Sequence, residues 1–180
     1  ALEDAVAARG VVTHSSGNHG AALALAAGLR LQEVSDGLQS FANIKGRLQI
    51  KSGIKNAVVL DDTYNANPDS MKAALDVLAA LPTPRVFVMG DIGELGEDES
   101  AAMHAEVGAY ARDKGIEAAY FVGGFSAAEA EAFGGRGLWF ADKDPLIQVL
   151  LHDLPEQAHV LVKGSRFMKM EEVVQALQGA

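Results

Sequence analysis

The chain has no cysteine in its 180 residues. That excludes disulfides, thiolate metal sites and thiol nucleophiles together. Aromatic residues are scarce, at 6%, and the single tryptophan, Trp139, sits with Phe140 in an apolar run that reads as core. Positive charge is short: Lys and Arg total 15 against 24 acids, for a net charge of -9. A general nucleic-acid or anionic-membrane binder needs a basic surface, so neither class of partner is expected, although a local basic pocket is allowed. No apolar run reaches transmembrane length. The opening Ala-Leu-Glu-Asp-Ala-Val has neither a basic n-region nor a signal-type apolar segment. The expected location is the cytoplasm. A first residue other than Met suggests a fragment, a processed chain or an engineered one. The histidines His14, His104, His152 and His159 have no ligand spacing, and no metal site is expected from them.

What is present is an ordinary globular balance, 49% apolar and 22% charged, on a length sufficient for one sizeable core. Short β-rich runs alternate with helical ones. Strands are expected at Val11–His14, Leu48–Lys51, Ala57–Leu60, Arg85–Met89, Ala118–Val122, Leu138–Phe140 and His159–Val162. Most are continuously apolar, as strands covered on both faces are. Helices are expected at Leu2–Ala8, Ala21–Ala27, Leu31–Ser40, Asp69–Leu81, Glu99–Lys114, Ala127–Phe133, Pro145–Leu151 and Met170–Leu177. The pattern implies a three-layer α/β fold, a Rossmann-like doubly wound arrangement with a mostly parallel sheet. A seam falls at Phe41–Gly46, where helical periodicity stops, dividing residues 1–40 from 41–180.

Ligands of such sheets collect beyond the carboxyl ends of the strands. Three ends here are polar. In "LDDTYNANPDS", Asn67 is a helix N-cap, Pro68 the first helical residue and Asp69 a first-turn acid. Capping leaves Asp61, Asp62, Tyr64 and Asn65 unexplained, and a ligand role is open for them. In "VMGDIGELGEDES", Asp98 or Ser100 can cap the next helix, and Asp91 reads foremost as a solvated loop acid. In "VLVKGSRFMKMEEVV", Lys163 and Arg166 stand before a helix N-terminus, where cations oppose the macrodipole. An anion held between Lys163, Ser165 and Arg166 would account for them. Exposed loop cations near Glu171 and Glu172 are the alternative.

These stretches, with "KGRLQI", resemble the C-terminal domain of the Mur ligases over about residues 24–180, nearest the branch that adds D-alanyl-D-alanine to a UDP-linked muramoyl tripeptide. The resemblance implies an ATP- and Mg-dependent ligase that activates a carboxylate as an acyl phosphate for attack by an amine. It also implies an antiparallel edge strand, at Leu48–Lys51 or Leu138–Phe140. By the same resemblance Arg47 would meet nucleotide ribose or phosphate. Asp62, Tyr64, Asn65 and Asn67 would line the nucleotide and dipeptide side. Lys163, Ser165 and Arg166 would meet phosphate or the dipeptide carboxylate. The family's phosphate loop, Gly-x-x-Gly-Lys-Thr/Ser, is absent from the sequence, and where the family carries His-Asn-x-x-Asn the chain has His19-Gly20-Ala21-Ala22-Leu23. A complete reaction by this chain alone is not expected, nor is tightly held ATP.

"VVTHSSGNHGAALALAA" is similar instead to the asparagine-loop segment of the serine racemase and threonine dehydratase family, over about residues 8–27. There the equivalents of Ser15, Ser16 and Asn18 contact substrate and cofactor. The Schiff-base lysine motif and glycine-rich phosphate loop of that family are missing, so pyridoxal phosphate is not carried over. Physically the stretch is a capped strand-to-helix turn, or a small anion cradle. Two resemblances meeting in one helix imply a chimera joined near Ala21–Leu25. Three readings follow: a ligase domain with weak affinity for nucleotide and D-alanyl-D-alanine, a structural chimera without biochemical function, or an anion-binding module. A strand edge left open could also pair two copies into a homodimer.

Overall fold

The structure, a computed structural model, describes residues 46–93 and 95–179. The seam up to Lys45, the unit at 1–40, and the turn bearing Ser15, Ser16 and Asn18 lie outside those residues. The described part holds six strands: β1 (Gln49–Ser52), β2 (Val58–Asp62), β3 (Arg85–Gly90), β4 (Ala118–Val122), β5 (Gly137–Phe140) and β6 (His159–Lys163). Its α-helices are α1 (Pro68–Ala79), α2 (Glu97–Asp113), α3 (Ala127–Phe133), α4 (Lys143–Asp153) and α5 (Glu171–Leu177).

The strands form one sheet in the order β1-β2-β6-β3-β4-β5, parallel throughout except for the antiparallel β1–β2 pair. The antiparallel element is therefore β1, and β5 is a parallel edge strand. Alternation along the apolar strands divides the core into two layers. Leu60, Phe87, Met89, Phe121 and Leu161 face α1, α2 and α3. Val59, Val86, Val88, Tyr120, Val122, Val160 and Val162 face α4 and α5. The inner strands β2, β3, β4 and β6 thus bury both of their faces, which is why their sequences are mostly continuous apolar runs.

Helix α1 follows from local chemistry. Asn67 accepts from the Ser70 backbone N–H at 2.8 Å, and Ser70 Oγ takes the Asn67 N–H at 3.1 Å, a reciprocal capping box with Pro68 at the first position. Met71, Ala74, Leu75 and Leu78 on its inner face are fully buried. Two local expectations fail. The N-cap of α2 is Gly96, so neither Asp98 nor Ser100 caps it. Trp139 is 46% exposed, because among the described residues no strand lies beyond β5; its indole Nε1 donates to the Gly123 carbonyl at 2.9 Å. Among the described residues no helix is long and apolar enough to cross a membrane.

Candidate functional site at the carboxyl ends of the strands

Strand β6 lies between β2 and β3, yet the helix after it packs on the opposite face from α1 and α2. Crevices are therefore expected on both sides of its carboxyl end. The polar residues singled out above gather there.

Register makes the first contact. Asp62 and Lys163 are paired positions on adjacent parallel strands, so their side chains leave the same face of the sheet. Lys163 Nζ donates to Asp62 Oδ2 at 2.5 Å and to the Asn65 carbonyl at 2.9 Å. Both partners are buried, at 2% and 4% exposure. The other Asp62 oxygen takes the Leu48 N–H at 3.2 Å. Asp61, one residue earlier, leaves the opposite face. It binds Lys51 Nζ at 2.6 Å across the antiparallel pair and Thr63 Oγ1 at 2.7 Å.

The turn before β1 is laid on this pair. The Tyr64 N–H donates to the Gly46 carbonyl at 2.9 Å. Gly46 has φ 78°, and a Cβ there would sit 3.0 Å from both Thr63 Oγ1 and Tyr64 N, so only glycine fits. That close approach sets the Arg47 guanidinium over the Tyr64 ring, 4.7 Å from its centroid. Arg47 is exposed and Tyr64 is 44% exposed, so cation and ring face outward together. Asn65 and Asn67 are exposed beside them. The Asn65 side-chain oxygen folds back onto the Ala66 N–H at 2.8 Å.

The "VKGSR" loop differs from the arrangement expected of it. Lys163 and Arg166 do not face one another across a gap; each has its own carboxylate. Arg166 Nη1 meets Glu171 Oε1 at 2.8 Å on the surface. Ser165 is buried and structural: its Oγ accepts the Gly93 N–H at 2.7 Å, and its own N–H donates to the Asp91 carbonyl at 3.1 Å.

Asp91 is no solvated loop acid. It is 6% exposed, and its carboxylate accepts from the Gly124 N–H at 2.8 Å, the Phe125 N–H at 3.3 Å and Ser126 Oγ at 2.6 Å. Three loops, after β3, β4 and β6, are tied together through this one residue. Gly123 makes room for it: φ is 135°, and a Cβ would fall 2.2 Å from the carboxylate carbon. His104, fully buried, accepts the Ile92 N–H on Nε2 at 3.0 Å, while Nδ1 donates to the Ser100 carbonyl at 2.7 Å. Both ring nitrogens are thereby assigned in a neutral imidazole, and the 3.7 Å approach of Nε2 to Asp91 is no ion pair.

Sequence reasoning passed over a second acid here. Glu129 of α3 is fully buried, and among the described residues neither carboxylate oxygen has a hydrogen-bond partner. Burial drives its pKa well above the ordinary range; the nearby Ser126 hydroxyl works against that, and the charge of Asp91 adds to it. Among the described residues no group of three His, Cys, Asp or Glu side chains is placed to hold a metal ion.

With this geometry in view, the chain belongs to the family described as Mur ligase, glutamate ligase domain, which matches residues 46–166. It is similar to the UDP-N-acetylmuramoyl-tripeptide–D-alanyl-D-alanine ligase of Escherichia coli (strain K12), 46% identical over 160 residues that cover 88% of this chain and 35% of that one. The ligase of the same name from Haemophilus influenzae is 40% identical over 163 residues, covering 87% and 35%. Among solved structures, MurF from Acinetobacter baumannii superposes with a TM-score of 0.69 at 35% identity, covering 87% of this chain and 35% of that one. The chain thus spans about a third of the length of these relatives. The graft read at residues 8–27 lies outside the described residues, and these relatives lend it no support.

Proposed function

We propose that this chain is the C-terminal part of a ligase that joins D-alanyl-D-alanine to a UDP-muramoyl tripeptide, working in the cytoplasm on ATP. The observation that carries this reading is the outward pair of Arg47 and Tyr64 beside the buried Asp62–Lys163 pair. A guanidinium over an aromatic ring offers charge for phosphate or ribose and an apolar face together. Exposed Asn65 and Asn67 add amide groups at the same rim. That donor set fits a nucleotide. It offers no cage for magnesium, which would arrive with the phosphates and be held by the rest of the enzyme. ATP would supply the phosphoryl group that activates the peptide substrate's carboxylate, with ADP leaving; this chain's contribution is to bind and orient.

Lys163 acts in this reading by holding the Asn65 carbonyl and Asp62 in place, so that the loop carrying Tyr64 and Asn65 is fixed. Ser165 fixes the loop after β3. Arg166, on a surface ion pair worth at most about 1 kcal/mol, can release Glu171 to meet a carboxylate or phosphate. Without a phosphate loop the chain alone would bind weakly and not turn over.

The test is a heteronuclear NMR titration with ATP and magnesium, then with D-alanyl-D-alanine. The expected result is saturable shifts gathered at Arg47–Leu48, Asp62–Asn67 and Lys163–Arg166. A dispersed spectrum indifferent to every ligand would leave a folded scaffold without the binding function.

A further inference from the structure

The opposite end of the sheet carries an open cavity of about 850 Å³, lined by the starts of β3, β4 and β5 and by the end of α4. Its walls mix charge with apolar surface in a definite order. Arg85, on one side, is fully committed: it binds Glu117 Oε1 at 2.9 Å and the carbonyls of Ala79 at 2.7 Å and Gly115 at 2.8 Å. Arg136 is not. Among the described residues its guanidinium has no ion pair and no hydrogen bond, and it is exposed at the rim. Asp153 lines the cavity too, and among the described residues its carboxylate is met only by the exposed imidazole of its neighbour His152, at 2.7 Å. Tyr120 lines the cavity with them. Its ring is 5% exposed and stacks on Phe140, with centroids 6.5 Å apart. Burial raises the pKa of its phenol, Asp153 raises it further, and Arg136 lowers it. Two opposite charges therefore reach the same neutral hydroxyl, which can donate or accept. Leu138, 42% exposed, supplies the apolar wall.

We propose that this cavity binds a small zwitterion. Its carboxylate is taken by Arg136 and its ammonium by Asp153, with the Tyr120 hydroxyl in the same cavity and an apolar body against Leu138. The site is separate from the carboxyl-end chemistry and does not depend on the proposed ligase function. A ligand of this size gains only a few kcal/mol, so affinity is about millimolar.

The experiment is an NMR titration of the whole chain with ε-aminocaproate, with caproate and hexylammonium as one-ended controls. Saturable shifts are expected at Ala118–Tyr120, Arg136–Leu138 and Asp153 for the zwitterion. Each control should bind about tenfold more weakly, and Arg136→Ala and Asp153→Asn should each weaken the zwitterion about tenfold. Both positions are exposed, so the variants' own dispersed spectra report that they fold. The proposal is overturned if the zwitterion leaves those residues unmoved. It is equally overturned if either control binds as tightly as the zwitterion, or if Arg136→Ala retains full affinity.

Discussion

Two strand ends on the carboxyl edge of the sheet bury a carboxylate by different means. At β2 and β6, Asp62 is neutralised by one buried ammonium, and the solvent side is left with Arg47, Tyr64 and two asparagines. At β3 and β4, Asp91 is satisfied by backbone N–H groups and a serine hydroxyl, and among the described residues no cation is in contact with it. The first end concentrates opposite charges, so removing one partner strands the other in low dielectric. The second spreads the load over several donors, so its cost depends on shape: on Gly123 leaving space and on three loops keeping their places. A ligand-facing rim built beside the first end gains a rigid floor. The second end holds the neighbouring loops against it.

The comparison is broken most severely at the ion pair. Asp62→Ala leaves the Lys163 ammonium, among the described residues, with only the Asn65 carbonyl, and the expected loss is about 3–5 kcal/mol in urea unfolding. The double variant Asp62→Leu with Lys163→Met should recover most of it, since two apolar side chains replace two desolvated charges. Recovery would show that the cost is an unpaired charge rather than lost shape. At the second end the order reverses. Gly123→Ala drives a methyl into the Asp91 carboxylate at a left-handed φ, and should cost about 3 kcal/mol. No single change of charge elsewhere should repair it. A Gly123→Ala variant with unchanged denaturation midpoint would mean the loop after β4 is not held as described.

A gentler probe is Glu129, which borders only the second end. Its folded pKa is raised, so between the ordinary glutamate value and the folded value the native state holds a proton that the unfolded chain has released. Stability falls as pH rises through that window and levels off above it. Glu129→Gln abolishes that slope, and should leave the protein more stable once pH is well above the ordinary glutamate range. Thermal melts of both proteins at several pH values decide it. Parallel curves would mean Glu129 has a partner that fixes its charge.

The fold was legible because both faces of the inner strands are covered: the runs in Arg85–Met89, Ala118–Val122 and His159–Val162 are apolar from the second residue on. The start of α1 was legible because its capping is local, complete within Asn67–Ser70. What stayed hidden is what distance brings together. Lys163 meets an acid 101 positions away, through register alone. Asp91 resembles any acid in a glycine-spaced loop until its partners, 33–35 positions on, are placed against it. Glu129 sits in "AAEAEAF", where two acids two apart give no sign of which is buried; α3 turns Glu129 inward and leaves Glu131 exposed. Trp139 misled because an apolar run does not say whether its strand is central or at an edge.

The smallest effect on stability falls on the residue that matters most to the proposed function. Arg47 is exposed, and its contact with Tyr64 is a surface cation–π pair. Arg47→Ala should therefore change the unfolding free energy by no more than about 0.5 kcal/mol. The same substitution should reduce the nucleotide-induced shifts at Asp62–Asn67 by about tenfold in apparent affinity, because it removes the one outward cation on that rim whose described contact is a ring and not an acid. Lys163→Met gives the opposite profile, a large loss of stability with binding lost only as the loop loosens. If Arg47→Ala instead destabilises the fold and leaves nucleotide shifts intact, the Arg47–Tyr64 stack is a brace for the turn before β1, and the nucleotide must be met elsewhere on the rim.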